Sequence, residues 1–198
     1  MDNESPSVFL VRHGETEWSL SGRHTGRSDI PLTERGERDA RRLAERLCGR
    51  RFAQVLVSPL RRAVRTCELA GFGAAAKPDP DLLEWNYGEY EGRRTADIRA
   101  ERPGWQLFRD GCPGGESLLQ VGARADRVIA RVRASEGSTL LVSSGHILRV
   151  LVARWLGLAP AAGALFLLGT ASVSVLGYEH DRTQPAVCLW NDTGPIDR

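Results

Sequence analysis

Lysine is nearly absent from this chain of 198 residues: Lys77 is the only one, so almost all of the 27 basic residues are arginine. Arginine is the side chain suited to planar, bidentate contacts with carboxylate or phosphate, although a GC-rich coding sequence produces the same bias. An excess of one charge is lacking too. The 27 basic and 25 acidic residues leave a formal +2, which excludes bulk electrostatic binding to nucleic acid or an anionic membrane. Cysteine is sparse and scattered, at Cys48, Cys67, Cys112 and Cys188, with neither a C-x-x-C pair nor a zinc-like spacing to histidine. Free thiols in a reducing compartment are expected. No apolar run approaches the roughly 18 residues of a membrane span. Residues 1–7 are polar and lack the apolar stretch of a secretory signal, so a flexible N-terminus and a cytoplasmic protein are the expectation. A Walker-type glycine loop is missing, and nucleotide phosphates need not be the target.

What is present reads as a globular α/β chain. Hydrophobic residues make up 41% and charged residues 26%, a balance that supports a core, and the length suits a single domain over residues 1–198. Residues 8–11, 55–57 and 139–142 are short apolar runs ended by polar residues, which predicts three buried strands. Helical spacing follows them. Thr33 is a candidate N-cap for an amphipathic helix reaching Leu47; Ser58 and Pro59 read as N-cap and first residue of a helix to about Leu69. Ser117 to Gln120 matches a capping box, and a further helix is predicted from about His146 to Leu156. A brief strand is expected at Leu82 and Leu83, and two or three strands over residues 164–190. The alternation of strand and helix implies a three-layer α/β/α fold, a mostly parallel sheet with helices on both faces.

In such sheets ligands sit beyond the strand carboxyl ends. Behind the first strand comes Arg12-His13-Gly14-Glu15-Thr16, behind the second Ser58-Pro59-Leu60-Arg61-Arg62, and behind the third Ser143-Ser144-Gly145-His146. Arginines and histidines therefore converge on one rim, where two guanidinium groups and an imidazole form a pocket for a dianion such as phosphate. A glycine after His13 is expected to let the backbone approach a ligand closely. The loop between residues 12 and 31 is long enough to be functional in its own right.

These residues carry a resemblance to the histidine phosphatase superfamily, in its phosphoglycerate-mutase-like branch. The match covers essentially the whole chain: Arg12 to Thr16, Gly22-Arg23-His24-Thr25-Gly26, Asp29 to Thr33, Ser58-Pro59-Leu60 with Arg62, Leu83 to Gly88 with Glu91-Gly92, and Gly115-Glu116-Ser117. The motifs Gly22 to Gly26 and Gly111 to Ser117 are similar to those of actinobacterial acid and sugar phosphatases in this branch. The resemblance implies phosphoryl transfer through a phosphohistidine. His13 is the nucleophile, its pKa lowered by neighbouring guanidinium groups; Arg12 and Arg62 hold the phosphoryl oxygens; Glu84 exchanges the proton with the leaving group and with water. Ser19, Thr25 and Gly26 fall at substrate- or phosphate-contacting positions, although many relatives carry Asn where Ser19 stands. No metal and no cofactor are implied.

The departure is at the third strand. Relatives usually carry a second catalytic histidine there, followed by Gly and, some residues later, Arg; registering Ser143, Gly145 and Arg149 puts Ser144 in its place and His146 two residues late. Both Ser144 and His146 are candidate phosphate contacts. Three readings stand: a natural enzyme weakened or redirected, a residue deliberately changed, or His146 reaching inward through a shift of the loop; the ungapped register favours the first two.

Among the other candidates, Glu84 is chosen over Glu89 and Glu91 by the family register, with Glu91-Gly92 a structural turn. Glu15 is expected to organise its loop, and His24 and His180 to lie on the surface. Trp105 and Phe108 with Arg99, Arg102 and Arg109 form either a lid or a helix packed on the core. The expected function is a phosphomonoesterase acting on a small phosphorylated metabolite, a sugar or glycerate phosphate. Phosphoglycerate mutase is the first alternative, disfavoured because residues 92–115 are too few for the mutases' basic insertion; a non-catalytic phospholigand binder is the second. The expected partner is a small-molecule phosphomonoester, with no nucleic acid and no membrane, and a homodimer is left open.

Overall fold

Neighbouring residues of the central strands point into different cores. In the computed structural model, which describes residues 6–194, Val8 and Leu10 of β1 (Val8–Arg12) join one apolar cluster while Phe9 and Val11 join another. The same alternation divides β2 (Gln54–Val57) and β4 (Thr139–Ser143). This period of two, with both faces apolar, is what a strand covered by helices on both sides requires. Helices α2 (Glu34–Arg46) and α3 (Arg61–Leu69) supply Leu43, Ala63 and Cys67 to one cluster. On the opposite face, α6 (Leu118–Arg133) and α7 (Gly145–Trp155) supply Val121, Val128, Ile147 and Leu151.

The sheet has six strands in the order β3-β2-β4-β1-β5-β6, completed by β3 (Ala76–Pro78), β5 (Val173–Tyr178) and β6 (Pro185–Asp192). The pairs β3·β2, β2·β4 and β4·β1 are parallel, and the β5–β6 hairpin adds antiparallel to β1. A mostly parallel sheet with helices on both faces is therefore the architecture. Because β4 lies between β1 and β2, with Arg12 opposite Ser143 and Val57 opposite Val142, the three strand ends named above adjoin one another. Among the described residues, no helix is long and apolar enough to cross a membrane.

Several local expectations are corrected. The segment at Leu82 and Leu83 is not a strand: Pro80–Leu82 is a 3-10 turn capped by Asp79 Oδ1, and the strand is β3, inside the Gly/Ala/Pro connector. Ser58 and Pro59 do not open α3. That helix starts at Arg61 without a cap of its own, and the Asp29 carboxylate accepts its Arg61 N–H at 2.8 Å. Of the N-terminus expected to be flexible, residues 1–5 lie outside the described residues, while Ser7 is tied to the start of β4 through Thr139 N–H at 3.0 Å. The tail forms two strands.

Candidate active site

His13 leaves β1 at the centre of the sheet. Its backbone N–H donates to Ser143 O across the β1–β4 junction, and Thr66 of α3 accepts the Gly14 N–H at 3.0 Å. Gly14 has a different use from the one expected. A Cβ there would lie 2.4 Å from Gly36 O, so the glycine admits the first turn of α2, not a ligand, against the loop. Glu15 organises the same junction by accepting Thr33 Oγ1–H at 2.8 Å.

The His13 ring is buried, and its Nδ1 donates to Gly14 O at 2.7 Å, which leaves the lone pair on Nε2. Burial, then the charges of Arg62 and Arg12, hold its pKa well below the ordinary imidazole value. The imidazole is thus a neutral nucleophile with a fixed tautomer. Two guanidinium groups stand beside it. Arg62, wholly buried, donates to Ser28 O, Thr25 O and Gly26 O at 2.9–3.0 Å and to Ser144 Oγ at 3.3 Å. Arg12 is held by Leu168 O. The Nε groups of both arginines are buried without a hydrogen-bond partner among the described residues. A buried N–H without an acceptor is destabilising, and that of Arg12 is packed on the start of α7, where a Cβ on Gly145 would lie 3.4 Å from Nε.

Glu84 faces them from the other side. Its carboxylate accepts Trp85 N–H and Ile147 N–H on Oε1 and His146 N–H on Oε2, each at 2.8 Å. It occupies the position at the α7 N-terminus that an N-cap side chain normally fills. Ser144, the N-cap residue, makes no capping bond, and its hydroxyl accepts from Arg62 instead. The segment carrying Glu84 is itself pinned by a buried ion pair: Arg124 Nε and Nη2 meet the Glu116 carboxylate at 2.7 and 2.8 Å, and Nη1 bonds Asp81 O and Leu83 O. Burial pushes the Glu116 carboxyl pKa up, but Arg124 and the Asn86 N–H outweigh it and leave the group below its ordinary value. Replacing Arg124 by Met is expected to cost about 3 kcal/mol in urea unfolding, because those carbonyls lose their donor and Glu116 keeps only Arg27, at 3.6 Å, as a cation. A loss below about 1 kcal/mol would contradict that role.

The cleft in front of His13 is a cavity of about 250 Å³ lined by Arg12, His13, Ser19, Thr25, Glu84 and His146 from the expected set, joined by Arg23, His24, Tyr87, Thr95, Arg149 and Leu168 among others. Arg62 and Ser144 form its buried support. Gly26 stands behind the wall: its N–H donates to Glu91 Oε1 at 2.8 Å, and a Cβ would lie 2.5 Å from Trp85 O. Glu91 is thus more than a turn residue, since it also accepts Ser28 N–H and holds the loop whose carbonyls grip Arg62. Ser19 lines the cavity, but its hydroxyl is engaged by the Thr16 backbone in the capping box that opens α1 (Glu17–Leu20).

His24 is the clearest miss. Expected on the surface, it is 9% exposed, packed against Tyr87 and Trp105, with Nε2 3.3 Å from Thr95 Oγ1 of α4 (Thr95–Glu101). Its place in the Gly22 to Gly26 motif was the available signal. His180 is exposed, as read. Between the lid and core readings, Trp105 takes the core one, at 2% exposure, and Arg99, Arg102 and Arg109 are tied to Trp105 O, Tyr90 Oη and Asp110. Phe108 of α5 (Leu107–Asp110) packs edge-to-face with Trp85, at a tilt against His146, and beneath Arg149.

Comparison with known proteins decides the family. The pattern of the histidine phosphatase superfamily (branch 1) matches residues 8–193. The chain belongs to the histidine phosphatase superfamily. It is 42% identical over 185 residues to an acid phosphatase of Mycobacterium tuberculosis, covering 91% of this chain and 90% of the relative. A sedoheptulose 1,7-bisphosphatase of Saccharomyces cerevisiae is 35% identical, with 80% and 70% covered, and a probable phosphoglycerate mutase of Cronobacter sakazakii is 38% identical, with 87% and 85% covered. Among solved structures, an open reading frame product of Mycobacterium tuberculosis superposes with a TM-score of 0.90 at 38% identity, covering 96% of this chain and 99% of that one. As a histidine phosphatase the chain is a hydrolase.

Three histidines of this phosphatase's cleft are held below the ordinary imidazole pKa. Burial lowers the pKa of His13, His24 and His146; Arg62 and Arg12 add to it for His13, and Arg149, His24 and Arg12 for His146. Below an ordinary imidazole pKa of about 6.5 the unfolded chain takes up protons that the folded state refuses, so stability falls as pH drops through that value. The expected slope is up to about 1.4 kcal/mol per pH unit for each histidine. Urea titrations at pH 7.5, 6.5 and 5.5 check this, and His146→Gln should reduce the slope by one histidine's share; an unchanged slope would contradict the burial of its neutral form.

Proposed function

We propose that this histidine phosphatase hydrolyses the phosphomonoester of a small polyhydroxylated metabolite, a sugar or glycerate phosphate, through a phosphohistidine on His13 and without a metal. The observation that carries the proposal is a buried imidazole with its lone pair on Nε2, flanked by the Arg62 and Arg12 charges and lining one cleft with Glu84. In the first step, which starts from protonated Glu84 with its proton on Oε2, the oxygen that takes a single backbone donor, His13 Nε2 attacks phosphorus, the P–O ester bond breaks, and the leaving alkoxide takes that proton. In the second, Glu84 takes a proton from water, whose oxygen attacks phosphorus, and the P–N bond breaks to release phosphate. Arg12 and Arg62 neutralise the charge on the equatorial oxygens throughout, the task that positioned cations perform in phosphoryl transfer.

The family contains both hydrolases and mutases, as the relatives' names illustrate. Hydrolysis is favoured here because the arginines of residues 92–115 are engaged with Glu101, Asp97, Asp110, Tyr90 and backbone carbonyls and do not line the cleft. The test is hydrolysis of an aryl phosphate and a panel of sugar phosphates in chelator. Turnover with an acid-labile phosphoryl group trapped on His13 is the expected result; turnover that requires added metal would overturn the mechanism.

A further inference from the structure

The cleft wall facing Glu84 holds a second imidazole with a determined orientation. His146 Nδ1 lies 2.6 Å from Tyr87 Oη. Tyr87 is 1% exposed, and among the described residues His146 Nδ1 is the hydrogen-bond partner of its hydroxyl. A buried phenol must place its proton on an acceptor, so Tyr87 O–H donates and Nδ1 accepts. The neutral ring then carries its own proton on Nε2. The ring is packed by Phe108 at 5.5 Å and Tyr87 at 5.8 Å between centroids, with His24 beyond, and its side chain remains 25% exposed as part of the cavity lining.

We infer that His146, aligned by Tyr87, is a specificity-determining residue that offers a neutral Nε2–H to a hydroxyl oxygen of the substrate's polyol body, and not a substitute for the phosphate-binding histidine replaced by Ser144. The inference rests on the proposed phosphomonoesterase activity and deepens its substrate class. Three observations favour the body over the phosphoryl group. Arg62 and Arg12 already place two guanidinium charges next to His13, and Arg12 shares its cleft lining. His24, Tyr87 and Thr95 continue an uncharged, hydrogen-bonding wall from His146. Arg149, the nearest cation on the same helix, is turned to Gly163 O and Ala164 O at 3.0 Å and stacked on Phe108.

The test compares kcat/KM for the best sugar phosphate of a panel with that for an aryl phosphate, which lacks the hydroxyls. In His146→Phe, which retains an aromatic ring, this ratio should fall about 10-fold, carried mainly by KM, as expected for one lost hydrogen bond in a cavity. His146→Gln, whose amide N–H replaces the donor, should recover most of it, and Tyr87→Phe should fall between. An Nε2–H tautomer in the histidine nitrogen spectrum, lost from preference in Tyr87→Phe, is the accompanying signature. A ratio unchanged within about threefold in His146→Phe, or equal loss on both substrates through kcat, would overturn the inference. Absence of turnover on every phosphate in the panel by the parent chain would instead overturn the proposed function. Thermal unfolding separates a misfolded variant from an informative one, and His146→Gln serves as the second variant if His146→Phe fails to fold.

Discussion

Replacement of His13 by alanine is expected to abolish phosphate release, by on the order of 10⁴-fold or more, since the covalent route loses its only nucleophile. The cleft offers no second group in the same position. His146 has its Nδ1 committed to Tyr87, and His24 faces Thr95 and Trp105. Binding should persist, because Arg12 and Arg62 are held by main-chain carbonyls that do not depend on the imidazole. The result to look for is therefore loss of kcat with phosphate or vanadate affinity largely retained. Turnover surviving the substitution, or an anion bound away from the ring, would refute the nucleophile assignment.

The second large effect has the opposite sign. Ser144→His is expected to raise turnover by about 100- to 1,000-fold, the usual value of one positioned donor at a developing oxyanion. The geometry explains why the position is sensitive. Ser144 follows the residue paired with Arg12, is 1% exposed, and touches Arg62. Its hydroxyl contributes one hydrogen bond to Arg62, where an imidazole N–H would reach further toward the phosphoryl oxygens. The substitution should not uncap α7, since Glu84 already accepts the His146 and Ile147 N–H groups. Steady-state kinetics on an aryl phosphate measures the gain. Lower activity in a normally folded variant would mean that this cleft is tuned to different chemistry, and the family's roles would not transfer at that position.

Much of the site was legible in order. The run Arg12 to Thr16 behind an apolar strand pointed to the nucleophile and one cation, and the motif around Arg62 and Glu84 to their partners. Ser144 was legible as a departure. What escaped were relations between distant residues. Asp29 caps α3, and Glu84 caps α7 in place of Ser144, so reading each helix start from its own preceding residues succeeded for α2 and α6 but failed for α3. Gly14 was read toward a ligand because its actual neighbour, Gly36, lies in another element. His24 was assigned to the surface because an isolated histidine in a polar loop has no periodicity to reveal the pocket it enters. Tyr87 belonged to a recognised motif, yet only its contact with His146 assigns it a task.

By itself the sequence determined the alternating elements, the two-faced strands and the chemistry carried at three strand ends. Apolar periodicity and short motifs are local properties, and they survive into the fold because burial rewards them wherever the element docks. Tertiary structure alone decided that β4 enters between β1 and β2, bringing Ser144 beside Arg62 and His13. It also decided which carboxylates cap which helices and which imidazoles lose their water. Parallel pairing, through-space capping and desolvation depend on neighbours far along the chain, and a local pattern of residues does not encode who those neighbours are.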